Sequence, residues 1–149
     1  MTTKGELMTE KLETIQASAS AQDAAGKMRD RKVSSLVVVG GNNKPVGIIT
    51  ERDLVRKVCV RDASSKETKI RDIMSDVLVT TDAISEVGVA ADIMIQNHVR
   101  HLLVVKDDDI NKPLGIITPS DFAGYLKENL NTGDVNVRII ESIKDIQND

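Results

Sequence analysis

The segment Lys44-Pro45-Val46-Gly47-Ile48-Ile49-Thr50 returns as Lys112-Pro113-Leu114-Gly115-Ile116-Ile117-Thr118, identical at six of seven positions across an offset of 68. Upstream the offset is 66: Ala24, Ala25, Met28, Val33 and Leu36 fall on Ala90, Ala91, Met94, Val99 and Leu102. A chain with this self-similarity is two copies of one supersecondary unit, and a unit of about 60 residues buries too little surface to be robust alone. The copies are therefore expected to pack as a pseudo-twofold module with equivalent clefts between the halves. The change of offset marks a two-residue insertion. It falls between Gly40-Gly41-Asn42-Asn43 and Lys106-Asp107-Asp108-Asp109-Ile110-Asn111, where a turn between strands varies most freely.

Each copy reads as strand, helix, strand, strand, helix, an α+β fold of the α/β roll kind. The first helix carries an apolar stripe at Ala21, Ala24, Ala25 and Met28, mirrored by Val87, Ala90, Ala91 and Met94, the spacing of one helical face. Aliphatic runs at Leu36–Val39, Val46–Ile49, Leu102–Val105 and Leu114–Ile117 predict strands buried on both faces. A second helix follows from Asp53 and from Asp121. Residues 61–69 are polar and without apolar period, a linker by composition. The expected organisation is a first repeat over 4–60, a linker over 61–69, a second repeat over 70–130 and a tail over 131–149. After the Thr132-Gly133 break, Val135, Val137 and Ile139 alternate like a strand, whereas Ile139, Ile140, Ile143 and Ile146 follow a helical face. The helix is preferred, and its aliphatic stripe needs a partner in the body of the module or in a second subunit.

Among 149 residues there is no Trp, and Phe122 and Tyr125 are the only aromatic side chains, so the core must be aliphatic. Single-stranded nucleic acids are held on several stacked rings, and no such platform exists here. The net charge of -3 also weighs against phosphate backbones, which need clustered Lys and Arg. Cys59 is the only cysteine; it permits no intrachain disulfide and no Cys-rich metal site, and it suits the reducing cytoplasm. No apolar stretch follows Met1-Thr2-Thr3-Lys4-Gly5, and no run approaches the roughly 18 residues of a membrane span. A soluble, cytoplasmic protein is expected.

The strongest chemical signal is Gly47-Ile48-Ile49-Thr50-Glu51-Arg52-Asp53 and its echo Gly115-Ile116-Ile117-Thr118-Pro119-Ser120-Asp121. Each sets a Thr at a strand end and an Asp three residues on, at the start of a helix. Two readings stand side by side. Thr-x-x-Asp is a capping box, with Pro119 at a favoured first helical position. Equally, a helix start offers backbone N–H groups to a phosphate, the carboxylate accepts bonds from a vicinal diol such as ribose, and a Gly before the strand end lets a ligand approach the backbone. With no third His in the chain, His98 and His101 read as strand-edge histidines. An EF-hand loop starting at Asp107 would put Lys112 where Gly belongs and Thr118 where the bidentate Glu belongs, so the Asp run reads as a solvated turn. Cys59, near Val55 and Val58, reads as a small core residue. No phosphate-binding Gly loop or nucleophile elbow occurs, so catalysis has no visible support.

The Ala-Ala-x-x-Met helix, the strands Val33-Ser34-Ser35-Leu36-Val37-Val38-Val39 and Val99-Arg100-His101-Leu102-Leu103-Val104-Val105, and the twice-repeated Gly-Ile-Ile-Thr-x-x-Asp together resemble a tandem pair of CBS domains, a Bateman module, over residues 4–130. The resemblance implies back-to-back sheets, two clefts that take AMP, ADP, ATP or S-adenosylmethionine as a regulatory ligand, and a homodimeric disc of four repeats. It implies that each cleft is shared. In cleft A, Thr50 and Asp53 would hold ribose and the near phosphate, Val79 and Thr80 would line the base, and Arg100 and His101 would reach the phosphates. In cleft B, Thr118 and Asp121 would hold ribose, Thr14 and Ile15 would line the base, and Ser34, Ser35 and Arg52 would lie near the phosphates. Arg100 matches only Ser34, so cleft A is expected to accept a di- or triphosphate more readily. Where the family often has Pro after the Leu of the middle strand, this chain has Val37 and Leu103. The implied function is a ligand sensor acting on a separate effector protein; from the residues, no enzyme activity, metal, obligatory cofactor or membrane partner is expected, and nucleic-acid binding, possible for some modules of this family, is disfavoured by the charge and the missing aromatics. The alternative is a non-binding dimeric scaffold.

Overall fold

The structure, a computed structural model, describes residues 12–128 and 134–147. Residues 4–11 of the expected first repeat and the Thr132-Gly133 break lie outside the described residues. The chain divides into two compact units, one of Glu13–Leu78 and one running from Val79.

In the first unit the order is β1 (Thr14–Gln16), α1 (Ala21–Arg31), β2 (Ser35–Val39), β3 (Pro45–Thr50) and α2 (Glu51–Leu54), which runs into a π-helical turn at Val55–Cys59 and is followed by a 3-10 turn at Ile70–Asp72. The second unit repeats it with β4 (Thr80–Asp82), α3 (Val87–Asn97), β5 (Leu102–Lys106), β6 (Asp109–Ile117) and α4 (Pro119–Glu128), then adds α5 (Asp134–Gln147). Each sheet has three strands, the first parallel to the middle one and the third antiparallel to it. This is the mixed architecture expected from the repeat, an α+β fold.

Alternation along the strands sends one face of each sheet against its helices. In the first unit Leu36, Val38 and Ile49 pack with Ala21, Ala24 and Met28 of α1. In the second, Leu102, Val104 and Ile117 pack with Ala90, Ala91 and Met94, and both aromatic residues, Phe122 and Tyr125, join them. The middle strands are buried along most of their length, as continuous aliphatic runs predict. The third strands are not: β6 is buried only near its C-terminal end, because it forms the edge of its sheet. Both second helices start two residues before the expected Asp, at Glu51 and Pro119.

Four local expectations are corrected. Ala25 is exposed although its counterpart Ala91 is fully buried. The difference follows from α5, which crosses α3 so closely that a Cβ on Gly88 would meet the Arg138 guanidinium. Cys59 is exposed, because the π-helical turn changes the register and leaves Val58 as its one buried residue. His98 is no strand-edge residue: with φ of 51° it ends α3 in the left-handed region, as Lys32 with φ of 55° ends α1. The two-residue insertion does not enlarge a loop. Asp107 and Asp108, with φ of 56° and 53°, make a tight hairpin turn, and the extra residues lengthen the ladder to Lys106 opposite Asp109.

The linker is fastened to the first unit. Thr68 and Ser65 accept hydrogen bonds through their carbonyls from the Ala21 and Gln22 N–H groups at 2.8 and 2.9 Å. Ser20 takes the next two, Asp23 N–H on Oγ at 3.0 Å and Ala24 N–H on its carbonyl at 3.1 Å. All four N-terminal donors of α1 are thus satisfied, and no anion is needed there. Beyond the linker, Ile70 and Ile73 are buried in the first core, and Ser75 exchanges two backbone bonds of 2.9 Å with Ile48. Residues 70–75 therefore pack with the first unit.

The tail is helical, and its stripe finds its partner within its own unit. Ile139 is fully buried and Ile143 partly so, against the core that α3 and α4 line, whereas Val137 and Ile140 are 54% and 42% exposed. The side chain of Ile146 lies outside the described residues.

Candidate functional site

At the end of β3, Thr50 is extended, with φ of -123° and ψ of 162°, and caps α2. Its Oγ1 accepts the Asp53 N–H at 3.1 Å, while Asp53 Oδ2 accepts the Thr50 N–H and the Thr50 hydroxyl, each at 3.0 Å. The capping box is real. Its carboxylate half is repeated: Asp121 Oδ2 accepts from Thr118 N–H at 2.8 Å and from its hydroxyl at 3.3 Å, while the Asp121 N–H donates to the Thr118 carbonyl at 3.0 Å. Capping occupies Oδ2 in both copies. In the first, Oδ1 faces Lys57 Nζ at 3.3 Å.

The register shows which other residues share a surface with each threonine. Ser35 lies directly opposite Thr50, and Thr14, Val37 and Ile48 form a row across the sheet. By alternation these residues occupy the sheet face turned away from α1. In the second unit Thr80, Leu103 and Ile116 form the matching row, and His101 and Thr118 flank its strands on the same parity. Each sheet thus gathers a Thr from its first strand, Ser35 or His101 from the start of its middle strand, and the capping Thr from its third. Ile15 and Val79 are placed otherwise, since both pack against the cores of their own units. They are also not counterparts: Val79 corresponds to Glu13, each giving its carbonyl to the middle strand at 2.9 and 3.0 Å, and Thr81 corresponds to Ile15. Ser34 is exposed, and Arg52 and Arg100 are half-buried.

Gly47 does not open the backbone to a ligand. A Cβ there would meet the Ser75 carbonyl oxygen at 2.5 Å and the Met74 sulfur at 2.8 Å, so the space over Gly47 belongs to the chain itself. Sequence reasoning also missed Lys57 and the Ser20–Asp23 capping box. Both carry visible signals, an Asp-to-Lys pair at i,i+4 and a Ser-x-x-Asp before an apolar stripe. Among the described residues no three His, Cys, Asp or Glu side chains gather as a metal site, and no helix is long and apolar enough to cross a membrane.

The family model for the CBS domain matches residues 5–59 and 70–128. An uncharacterised protein of Methanopyrus kandleri is 38% identical over 117 residues, which cover 78% of this chain and 59% of that protein. The chain thus spans little more than half the length of that relative. A conserved CBS domain protein of unknown function from Thermoplasma acidophilum superposes with a TM-score of 0.76 at 22% identity, over 97% of this chain and 76% of that one. A CBS domain protein of Pyrobaculum aerophilum, solved as a complex with AMP, gives 0.72 at 22% identity, over 87% and 98%.

Proposed function

The chain belongs to the CBS-domain family, and from that premise we propose that it is a regulatory protein that binds an adenosine-containing ligand between its repeats and signals to a separate effector. The observation that carries this reading is that a Thr-x-x-Asp pair stands at the end of both sheets, each fixing a carboxylate at the start of the following helix. A carboxylate fixed in this way suits the two hydroxyls of a ribose. In cleft A, Thr50 and Asp53 take the ribose, Thr80 faces the base with Val79 behind it, and Arg100 and His101 take phosphate. In cleft B the same roles fall to Thr118 and Asp121, to Thr14 with Ile15 behind it, and to Ser34, Ser35 and Arg52. AMP, ADP, ATP and S-adenosylmethionine are the candidate ligands, and the AMP complex of the Pyrobaculum protein makes AMP the first to try. Differential affinity for one arrangement of the repeats is what would carry the signal. The protein acts without catalysis, in the cytoplasm, as a homodimer.

Calorimetric titration with the four ligands tests this, repeated on Asp53→Asn and Asp121→Asn. Asparagine preserves an acceptor for the Thr N–H, so folding should survive. The expected result is micromolar binding weakened about tenfold or more by one of the changes, since a hydrogen bond to a charged group contributes about 1.5–3 kcal/mol. Unchanged affinity in both variants would remove the aspartates from the site.

A dimeric scaffold is the second reading, favoured by the exposed Val137 and Ile140 on α5. Removing the tail cannot test it, because Ile139 belongs to the core. Ile140→Asp leaves that core intact. Under the scaffold reading it abolishes dimerisation in sedimentation, and no nucleotide shifts the melting temperature.

A further inference from the structure

The two capping aspartates differ in what stands four residues later. In the first unit it is Lys57, in the π-helical turn; in the second, at the same offset of 68, it is Tyr125, which is 2% exposed. Lys57 Nζ lies 3.3 Å from Asp53 Oδ1 and donates to the Ile73 carbonyl at 2.8 Å. The Asp53 carboxylate is thereby held at both oxygens, Oδ2 by Thr50 and Oδ1 by an ammonium that is itself anchored to the segment beyond the linker. The Asp53 side chain is 16% exposed and that of Lys57 35%, so the pair is only partly screened by solvent.

We propose that Lys57 is a positioning and charge-compensating residue for Asp53, making the first repeat's diol site tolerant of ligand phosphate. This rests on the reading of Asp53 as a ribose acceptor. The 5′-phosphate of a nucleotide lies within a Debye length, about 8 Å, of its own 2′ and 3′ hydroxyls, so a carboxylate that binds the diol also repels the phosphate. At Asp53 the neighbouring ammonium offsets that repulsion and fixes the orientation of Oδ1. Lys57 selects for charge on the ligand without touching it.

The test compares adenosine, AMP and ADP by calorimetry on the wild type, Lys57→Met, Lys57→Arg and Asp53→Asn. Lys57→Met keeps the aliphatic stem and removes the charge; Lys57→Gln serves if the methionine variant fails to fold. The expected result is that Lys57→Met weakens ADP binding by roughly three- to tenfold relative to adenosine, while Lys57→Arg restores the wild-type ratio. A purely structural role would weaken all three ligands alike, and that outcome overturns the proposal. An unchanged ADP-to-adenosine ratio, in a protein whose ADP binding Asp53→Asn abolishes, overturns it while leaving the ribose reading intact. Absence of binding by the folded wild type overturns both.

Discussion

The backbone N–H of Glu51 donates to the Ser34 carbonyl at 3.0 Å, joining the first residue of α2 to the residue just before β2. The matching residue of the second copy, Pro119, has no N–H to give. One copy thus fastens its capping turn to the neighbouring strand by a bond that the other cannot form.

Glu51→Pro should therefore be tolerated, at a small cost. Thr50 is already extended, as a residue before proline must be, and proline suits the first helical position. The loss is the Ser34 bond, about 0.5–1.5 kcal/mol, with the lower end favoured because Ser34 is exposed to water. Urea denaturation of the variant should show a lower midpoint with an unchanged slope. A loss of several kcal/mol would mean that the turn needs more than this one bond.

Two glycines should respond to alanine in opposite directions. Gly47→Ala drives a methyl into the Ser75 carbonyl and should cost about 1–3 kcal/mol, because backbone on backbone has little room to yield. Gly26 lies inside α1, and a methyl added there would have nothing within 4 Å, so Gly26→Ala should stabilise by about 0.5–1 kcal/mol. Thermal melts of the two variants beside the wild type decide it; equal shifts would contradict the packing described over Gly47.

Asp82 supplies a pH dependence. Its carboxyl is held below the usual carboxylate range, first by the Ile84 N–H on Oδ1 at 2.9 Å and then by the Asp108 N–H on Oδ2 at 2.7 Å. A folded pKa below the unfolded value of about 3.9 gives stability that is complete above that value and is lost as pH falls through the folded pKa. Melting temperatures of wild type and Asp82→Ala, followed from about pH 7 down to about pH 3, should converge at the acid end. A constant gap across that range would show that the two backbone bonds do not depend on ionisation.

Most of the fold was legible because it was written twice. The helical stripe at Ala21, Ala24 and Met28, the aliphatic middle strands and the capping Thr50 and Asp53 all follow from periodicity and repeat alignment. What was not legible depends on contacts that pattern alone does not encode. Ala25 and Ala91 are the same residue at matching places, and only α5 makes one buried and the other exposed. Cys59 looks interior on a regular helix and turns outward on a π-helical one. Gly47 carries a signal for close backbone approach, but the sequence does not say whose backbone. The Thr-x-x-Asp cap was legible, but that Ser35 and Thr14, which the resemblance groups with Asp121, share a sheet face with Thr50 emerges only from strand register.

The donors at the head of α1 depend on acceptors that the chain supplies much later. On a ribosome, α1 emerges well before Ser65 and Thr68, and before Ile70 and Ile73, which complete its core. At about 5–20 residues per second, the helix spends a few seconds with its first two amides answered only by water. The first repeat thus closes only when the segment after it has been made, and an expression fragment cut at residue 60 would lack the acceptors for its first two helical amides and part of its interior.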